Sequence, residues 1–324
     1  MPASASEVVN HESAQVGALE RQLRLDWNAR MRIVVTGATG FIGRHLISRL
    51  SASREVFAIV RGGRRGGASE CASLIEMDLS EPFNTSRLPE KIDAVVHLAQ
   101  ANVAFPESAK ELLMVNTMAT QQLLDYAWRA GAQQFVLAST GDVYGRRLGL
   151  CKELDPPAPT EYYAITKYAA EMMARSYAGL FASCILRLFQ PFGPGQSERL
   201  IPRLAERIST GNAVRLNNDD RPYMTPVFID DITLAIERAI DICYSGTLNI
   251  AGDRSVTVRG LAEEIGRALH QPPSFEETGE ECGDRAGDNE LMKQFLGGWD
   301  MIGLSDGLSR TLRGEEGAQW QARV

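Results

Sequence analysis

The sequence predicts an α/β fold built on a doubly wound parallel sheet, with a smaller C-terminal α/β region laid over the strand ends. Two observations predict it. From Met31 onward, short apolar runs alternate with helical patterns, the order that places parallel strands between two layers of helices. The first run, Ile33-Val34-Val35, passes through Thr36-Gly37-Ala38-Thr39-Gly40-Phe41-Ile42-Gly43 straight into the helical pattern Arg44 to Leu50. Gly37 can take backbone angles closed to other residues, Gly40 admits close approach of a pyrophosphate, and Gly43 lets helix and strand pack tightly. The free N–H groups and positive end of the helix then face the phosphates. Glycines also mark ordinary turns, so it is the strand–turn–helix context that makes this stretch a dinucleotide site of Rossmann type.

The remaining elements follow in order. Residues 1–30 form an N-terminal extension, read either as a disordered leader or as a short amphipathic helix carrying Leu19, Leu23 and Trp27 at helical spacing. The run Val56 to Val60 is a second strand, and Ala94 to Leu98 another. Glu111 to Ala130 is one long helical pattern closed by Gly131. Gln134 to Ala138 and Ser183 to Leu188 are further strands, completing a dinucleotide-binding domain over 31–189. The turn-rich stretch Gln190 to Gly195 breaks the pattern. Beyond it, Arg199 to Thr210 is a helix, and Ala213 to Leu216, Val227 to Ile229 and Thr247 to Ile250 are short runs. Residues 190–324 therefore read mainly as a substrate-binding region that closes a cleft, with elements able to return to the first domain. The segment Glu276 to Asp288, acidic and glycine-containing, reads as an irregular surface loop, and Trp299 and Trp320 as packing residues.

Composition narrows the function classes. The 324 residues carry a formal net charge of −7 and no long basic stretch, which argues against nucleic acid as a partner. Arg61 to Arg65 is too short and glycine-rich to change this. The five cysteines, Cys71, Cys151, Cys184, Cys243 and Cys282, are scattered and form no Cys-x-x-Cys pair. They read as reduced thiols, with no disulfide framework and no metal site. Without a bilayer-length apolar run or an apolar leader segment, the expectation is a soluble cytoplasmic protein acting on a small molecule.

Two features add chemistry to the cofactor fold. Tyr163 and Lys167 stand four apart on one face of a helical pattern. A neighbouring ammonium favours phenolate, so Lys167 is expected to lower the Tyr163 pKa and fit it for acid/base work. Thr140, at the end of the Gln134 to Ala138 strand, can hydrogen-bond the same substrate oxygen. Taken alone, Tyr-x-x-x-Lys is a common accident; here it follows the glycine turn at domain spacing.

In these residues the chain resembles the extended short-chain dehydrogenase/reductase family, in its NAD(P)-dependent epimerase/dehydratase branch, over about residues 31 to 300. The resemblance rests on the glycine turn, Asp78-Leu79, His97-Leu98-Ala99, Val115-Asn116, Ser139-Thr140 with Val143-Tyr144-Gly145, Tyr163 with Lys167, Arg187-Leu188-Phe189 and Phe228-Ile229-Asp230-Asp231. It implies that Gly37, Gly40, Phe41, Ile42 and Gly43 line a pyrophosphate and that Asp78 and Leu79 contact adenine. It further implies that Leu98, Ala99 and Gln100 pass beside ribose and nicotinamide, and that Lys167 holds the nicotinamide ribose. Tyr163 would exchange a proton with substrate while hydride moves, Asn116 would support the site, and the protein would be a homodimer.

Several positions depart from the family pattern. The second strand ends in Val60-Arg61 with no acid. Arginine suits a 2′-phosphate, so NADP is expected over NAD, with Arg61 at the cofactor. Family dehydratases carry Asp-Glu after the catalytic threonine; here stand Gly141-Asp142, which disfavours elimination and weakens decarboxylation. Met224 occupies the place of a diphosphate-gripping arginine, and Gln190 that of an asparagine. Gln190, Arg199 and Arg221 are therefore the substrate-binding candidates, with Arg203 a further cation, and Asp231 is expected to cap its helix. The preferred function is oxidoreduction at a sugar carbon of a nucleotide sugar, as a C4 epimerase or a keto-sugar reductase. A reductase of a non-sugar alcohol or ketone, and a non-catalytic dinucleotide sensor, are the alternatives.

Overall fold

In the computed structural model the described residues are 31–62, 72–217, 221–279 and 283–313. Strands β1 (Arg32–Thr36), β2 (Glu55–Val60), β3 (Ser73–Glu76), β4 (Ala94–His97), β5 (Gln134–Thr140), β7 (Ala182–Leu188) and β11 (Gly246–Ile250) form the main sheet. The short strands are β6 (Leu150–Cys151), β8 (Pro191–Phe192), β9 (Val214–Leu216), β10 (Val227–Phe228), β12 (Phe275–Glu277) and β13 (Ala286–Gly287). The sheet runs β11-β7-β5-β4-β1-β2-β3, and every pairing in it is parallel.

Both faces of this sheet are covered, which is why its strands read as unbroken apolar runs. Along β1, Ile33 and Val35 enter one core while Val34 enters the other. Along β5, Val136 and Ala138 alternate with Phe135 and Leu137 in the same way. One core is closed by the helices Phe41–Leu50 and Ile229–Asp241, the other by Ala119–Arg129 and Tyr162–Ser176. Arg54, buried, ties the first pair with bonds to Glu237 at 3.1 Å and Asp241 at 2.6 Å. The chain crosses from β3 back to β4, so the strand order reverses between β1 and β4. A crevice opens there at the carboxyl ends of the strands.

Thr247 to Ile250 is an element that returns to the first domain: it belongs to β11, paired with β7 in the main sheet. Two expectations change. The long helix is not continuous: Ala109–Leu113 and Ala119–Arg129 are separated by a π-helical turn, Met114–Met118. Asn116 sits in that turn, buried, accepting from Ala101 N at 2.8 Å and donating to Thr166 Oγ1 at 3.0 Å. Asp231 does not cap its helix, whose N-cap position is Phe228. It is buried and accepts from Trp299 Nε1 at 2.7 Å and Ile302 N at 3.2 Å, tying down the C-terminal segment. Cys151, Cys184 and Cys243 are free thiols. Residues 1–30, Cys71, Cys282 and Trp320 lie outside the described residues.

Candidate active site

The glycine turn follows β1 directly. Gly37 has φ +68°, and a Cβ there would meet Ala99 N at 2.7 Å. A Cβ on Gly43 would meet Gly37 O at 2.1 Å. Gly40 donates its N–H to Gly37 O at 2.9 Å, closing the turn. No side chain caps the Phe41–Leu50 helix, and no acid lies in its first turn. Its leading N–H groups and positive end are thus presented to a cleft of about 1270 Å³. A turn with no room for a Cβ at Gly37 or Gly43, beneath an uncapped helix start, is a cradle fitted to a dinucleotide pyrophosphate.

That cleft is lined by Gly37, Gly40, Phe41, Ile42 and Gly43, by Arg61, Asp78 and Leu79, and by Leu98, Ala99 and Gln100. The loop after β4 is held by a chain of hydrogen bonds through buried His97. Ala99 N donates to Thr36 Oγ1 at 3.1 Å, and Thr36 Oγ1 lies 2.7 Å from His97 Nδ1. His97 Nε2 lies 3.0 Å from Thr120 Oγ1, which donates to Asn116 O at 2.8 Å.

Thr140 and Tyr163 line the same cleft. The half-buried Tyr163 donates its hydroxyl to Gln100 Oε1 at 2.9 Å. Thr140 Oγ1 donates to Asp142 Oδ2 at 3.2 Å. Lys167 is buried beneath them and donates to Ala138 O at 2.6 Å, at the end of β5. The expected electrostatics do not hold. Burial, then the Asp142 carboxylate, pushes the Tyr163 phenol up, against a downward pull from Arg199 and Thr140. Burial also lowers the Lys167 ammonium to about 8, opposed by Glu171. Spacing along the helix revealed the neighbours but not their desolvation, and desolvation governs both groups.

The substrate candidates separate. Gln190 and Arg199 line the cleft, joined by Arg203. Arg221 is not among the lining residues: its Nη1 donates to buried Asp284 at 2.7 and 2.6 Å. Sequence reasoning missed Arg285, which lines the cleft with its Nε 3.9 Å from Asp142 Oδ1. Met224 is bridged to Arg285, so a cation stands beside the position where one was found wanting. Within the segment read as a surface loop, 276–279 are exposed, while 283–285 form part of the wall. Asp284 is buried because it accepts from Gly149 N at 2.8 Å, Tyr223 N at 3.0 Å and Arg221, partners far away in sequence.

The model of the NAD dependent epimerase/dehydratase family matches residues 33–251. The dTDP-D-glucose 4,6-dehydratase of Mus musculus is 28% identical over 271 residues, covering 76% of this chain and 75% of that protein. The GDP-6-deoxy-D-mannose reductase of Pseudomonas aeruginosa is 32% identical over 187 residues, covering 54% of this chain and 57% of that one. Among solved structures, MoeE5 in complex with UDP-glucuronic acid and NAD superposes with a TM-score of 0.77 at 28% identity, covering 90% of this chain and 99% of that one. These findings overturn the expectation of NADP, because the related structures hold NAD. Arg61 had been read from its charge alone; its Nη1 lies 3.6 Å from Glu111 Oε1, an acid from across the cleft. Arg64 and Arg65 lie outside the described residues.

Proposed function

We propose that this chain, which belongs to the NAD dependent epimerase/dehydratase family, oxidises and re-reduces a carbon of a sugar carried on a nucleoside diphosphate, in the manner of a C4 epimerase. The observation that carries the reading is one cleft with an acid/base end, Tyr163 with Thr140 and Gln100, and a cationic wall of Arg199, Arg203 and Arg285. The cations suit a diphosphate. The ligands of MoeE5, a nucleotide sugar and NAD, are in keeping with it.

Bound NAD would supply a hydride acceptor and donor at the sugar carbon. The chain's own residues do the rest. Gly37, Gly40 and the open start of the Phe41–Leu50 helix hold the pyrophosphate. Tyr163 Oη takes the proton of the reacting hydroxyl and returns it, while Thr140 Oγ1 holds the same oxygen. Burial raises the Tyr163 phenol, so Tyr163 takes the hydroxyl's proton only as the phenolate, after giving its own proton to solvent, and then returns that proton to the sugar oxygen. Lys167, anchored to Ala138 O, supports the helix that presents Tyr163.

Elimination of water is disfavoured by packing as well as by sequence. A Cβ on Gly141 would meet the Phe189 ring at 2.4 Å, so no side chain fits there. The remaining acid, Asp142, is engaged by Thr140 and near Arg285. The likeness to a GDP-6-deoxy-D-mannose reductase favours keto-sugar reduction as the second reading.

The test begins with the protein denatured and its released small molecules identified by mass spectrometry. Retained NAD is the expected result. The protein is then given UDP-, dTDP- and GDP-hexoses in deuterated water, with products followed by NMR. An epimerase inverts one carbon, takes up no deuterium and leaves the nicotinamide absorbance unchanged. Stoichiometric oxidation of NADH added together with a 4-keto-hexose nucleotide would replace it with the reductase reading. Loss of water with deuterium uptake would overturn both.

A further inference from the structure

We infer that Glu111 is a cofactor-specificity residue, which pairs with Arg61 across the cleft and so withholds that guanidinium from a 2′-phosphate. The inference rests on the reading of this cleft as a dinucleotide site. An acid at the end of β2 ordinarily performs this discrimination, accepting from the ribose 2′-hydroxyl and repelling a 2′-phosphate. Here β2 ends at Val60 and is followed by Arg61, whose charge alone would invert the preference.

Two carboxylates stand near that arginine. Glu111, from the short helix Ala109–Leu113, reaches to 3.6 Å from Arg61 Nη1, and both residues line the cleft. Asp78, beyond β3, lines it too; its Oδ1 accepts from Ser80 N at 2.8 Å and Ser80 Oγ at 2.7 Å. Those bonds, with Arg61 nearby, hold Asp78 below the usual carboxylate range. Among the described residues, this guanidinium therefore pairs with Glu111 and lies close enough to Asp78 to act on its charge. A 2′-phosphate brings about two further negative charges and would have to displace Glu111 from Arg61. A ribose hydroxyl brings none.

The pair is not there for stability. Its side chains are 49% and 36% exposed, and ion pairs so exposed contribute roughly 0–1 kcal/mol to folding. Its consequence falls on what enters the cleft, where field lines are focused between walls of low dielectric.

The experiment is equilibrium calorimetric titration of the full-length, nucleotide-stripped protein with NAD⁺ and separately with NADP⁺. Wild type, Glu111→Gln, Arg61→Ala and the double variant are compared after each is shown to be folded by circular dichroism. Wild type is expected to prefer NAD⁺. Glu111→Gln should narrow the preference about tenfold, by tighter NADP⁺ binding, with NAD⁺ affinity nearly unchanged. In the double variant that gain should vanish, because it requires the released guanidinium. An unchanged ratio in Glu111→Gln overturns the inference, and so does a full gain that persists without Arg61. If wild type binds neither dinucleotide, the reading of the cleft itself fails, an outcome distinct from the other two.

Discussion

Arg187 and Glu171 form a buried two-pronged ion pair beneath the reactive residues. Arg187 Nη2 donates to Glu171 Oε2 at 2.7 Å and its Nε to Oε1 at 3.1 Å, with the side chains 1% and 0% exposed. Glu171 lies one turn beyond Lys167 on the Tyr162–Ser176 helix, and it also accepts from Ser139 Oγ at 2.6 Å. The pair thus joins that helix to β7 and to the residue before Thr140. Removing one partner leaves an uncompensated charge in the interior, at about 3–5 kcal/mol. Glu171→Gln should lower the urea midpoint by an amount in that range, and should reduce turnover as Ser139 and Thr140 loosen. A loss below about 1 kcal/mol would mean that Arg187 is satisfied by other groups, such as the Tyr144 ring 4.6 Å away.

Tyr163→Phe should abolish turnover and leave cofactor binding intact. The hydroxyl's partner here is Gln100 Oε1 at 2.9 Å, a contact whose loss from a half-buried position has little effect on the fold. A positioned acid/base is worth at least about 100-fold in rate, so turnover should fall by that much or more while NAD affinity by calorimetry stays within about twofold. Turnover at the wild-type rate would remove Tyr163 from the acid/base role.

Much of this was legible in the chain itself, and what was not has physical causes. The glycine turn is local geometry, so its residues could be read in order, and the Tyr163–Lys167 spacing placed both side chains on one helix. The π-helical turn was hidden because apolar periodicity runs through it; its cause is the buried Asn116 amide bound to Ala101 and Thr166, both distant in sequence. Arg285 and Asp284 were hidden by an acidic, glycine-containing composition that suggests a surface. The burial of Asp284 is supplied by Gly149, Arg221 and Tyr223, and Arg285 beside it stays exposed to the cleft. The expectation of NADP failed on a similar point: the charge of Arg61 is visible in sequence, but its ion-pair neighbour Glu111 is not.

Gly37→Ala should damage both stability and cofactor binding. At φ +68° a residue with a Cβ is strained by about 1–3 kcal/mol. The added carbon would also stand 2.7 Å from Ala99 N and 2.8 Å from Leu98 C, both backbone. The loop after β4 must retreat, and with it the line from Leu98 to Gln100. A fall of at least about 2 kcal/mol in unfolding free energy, with NAD affinity reduced tenfold or more, is expected by denaturation and calorimetry. A stable variant that binds NAD normally would show that the turn is not the pyrophosphate cradle.

His97 should stay neutral far into the acid range, as one tautomer. Because Ala99 N already donates to Thr36 Oγ1, the Thr36 hydroxyl proton is directed to His97 Nδ1. Because Thr120 donates to Asn116 O, its oxygen accepts from His97 Nε2. The neutral imidazole is therefore the Nε2–H form, its Nδ1 accepting from the Thr36 hydroxyl. Burial, then the Lys167 charge, lowers its pKa from 6.5 to about 3. Below pH 6.5 the unfolded chain takes up a proton that the folded chain refuses, so this contribution to stability is complete above 6.5 and is lost as pH falls toward 3. Its slope reaches about 1.4 kcal/mol per pH unit. Asp231 works in the other direction: burial raises it from 3.8 to about 6, so the folded state takes up its proton first and gains stability between those values. The acid limb should accordingly be shallow from pH 6 to 4 and steeper below. Long-range proton–nitrogen NMR at pH 5 isolates the histidine. The expected spectrum shows a neutral ring protonated at Nε2; an imidazolium at that pH would mean the chain of bonds from Ala99 to Asn116 is not closed as described.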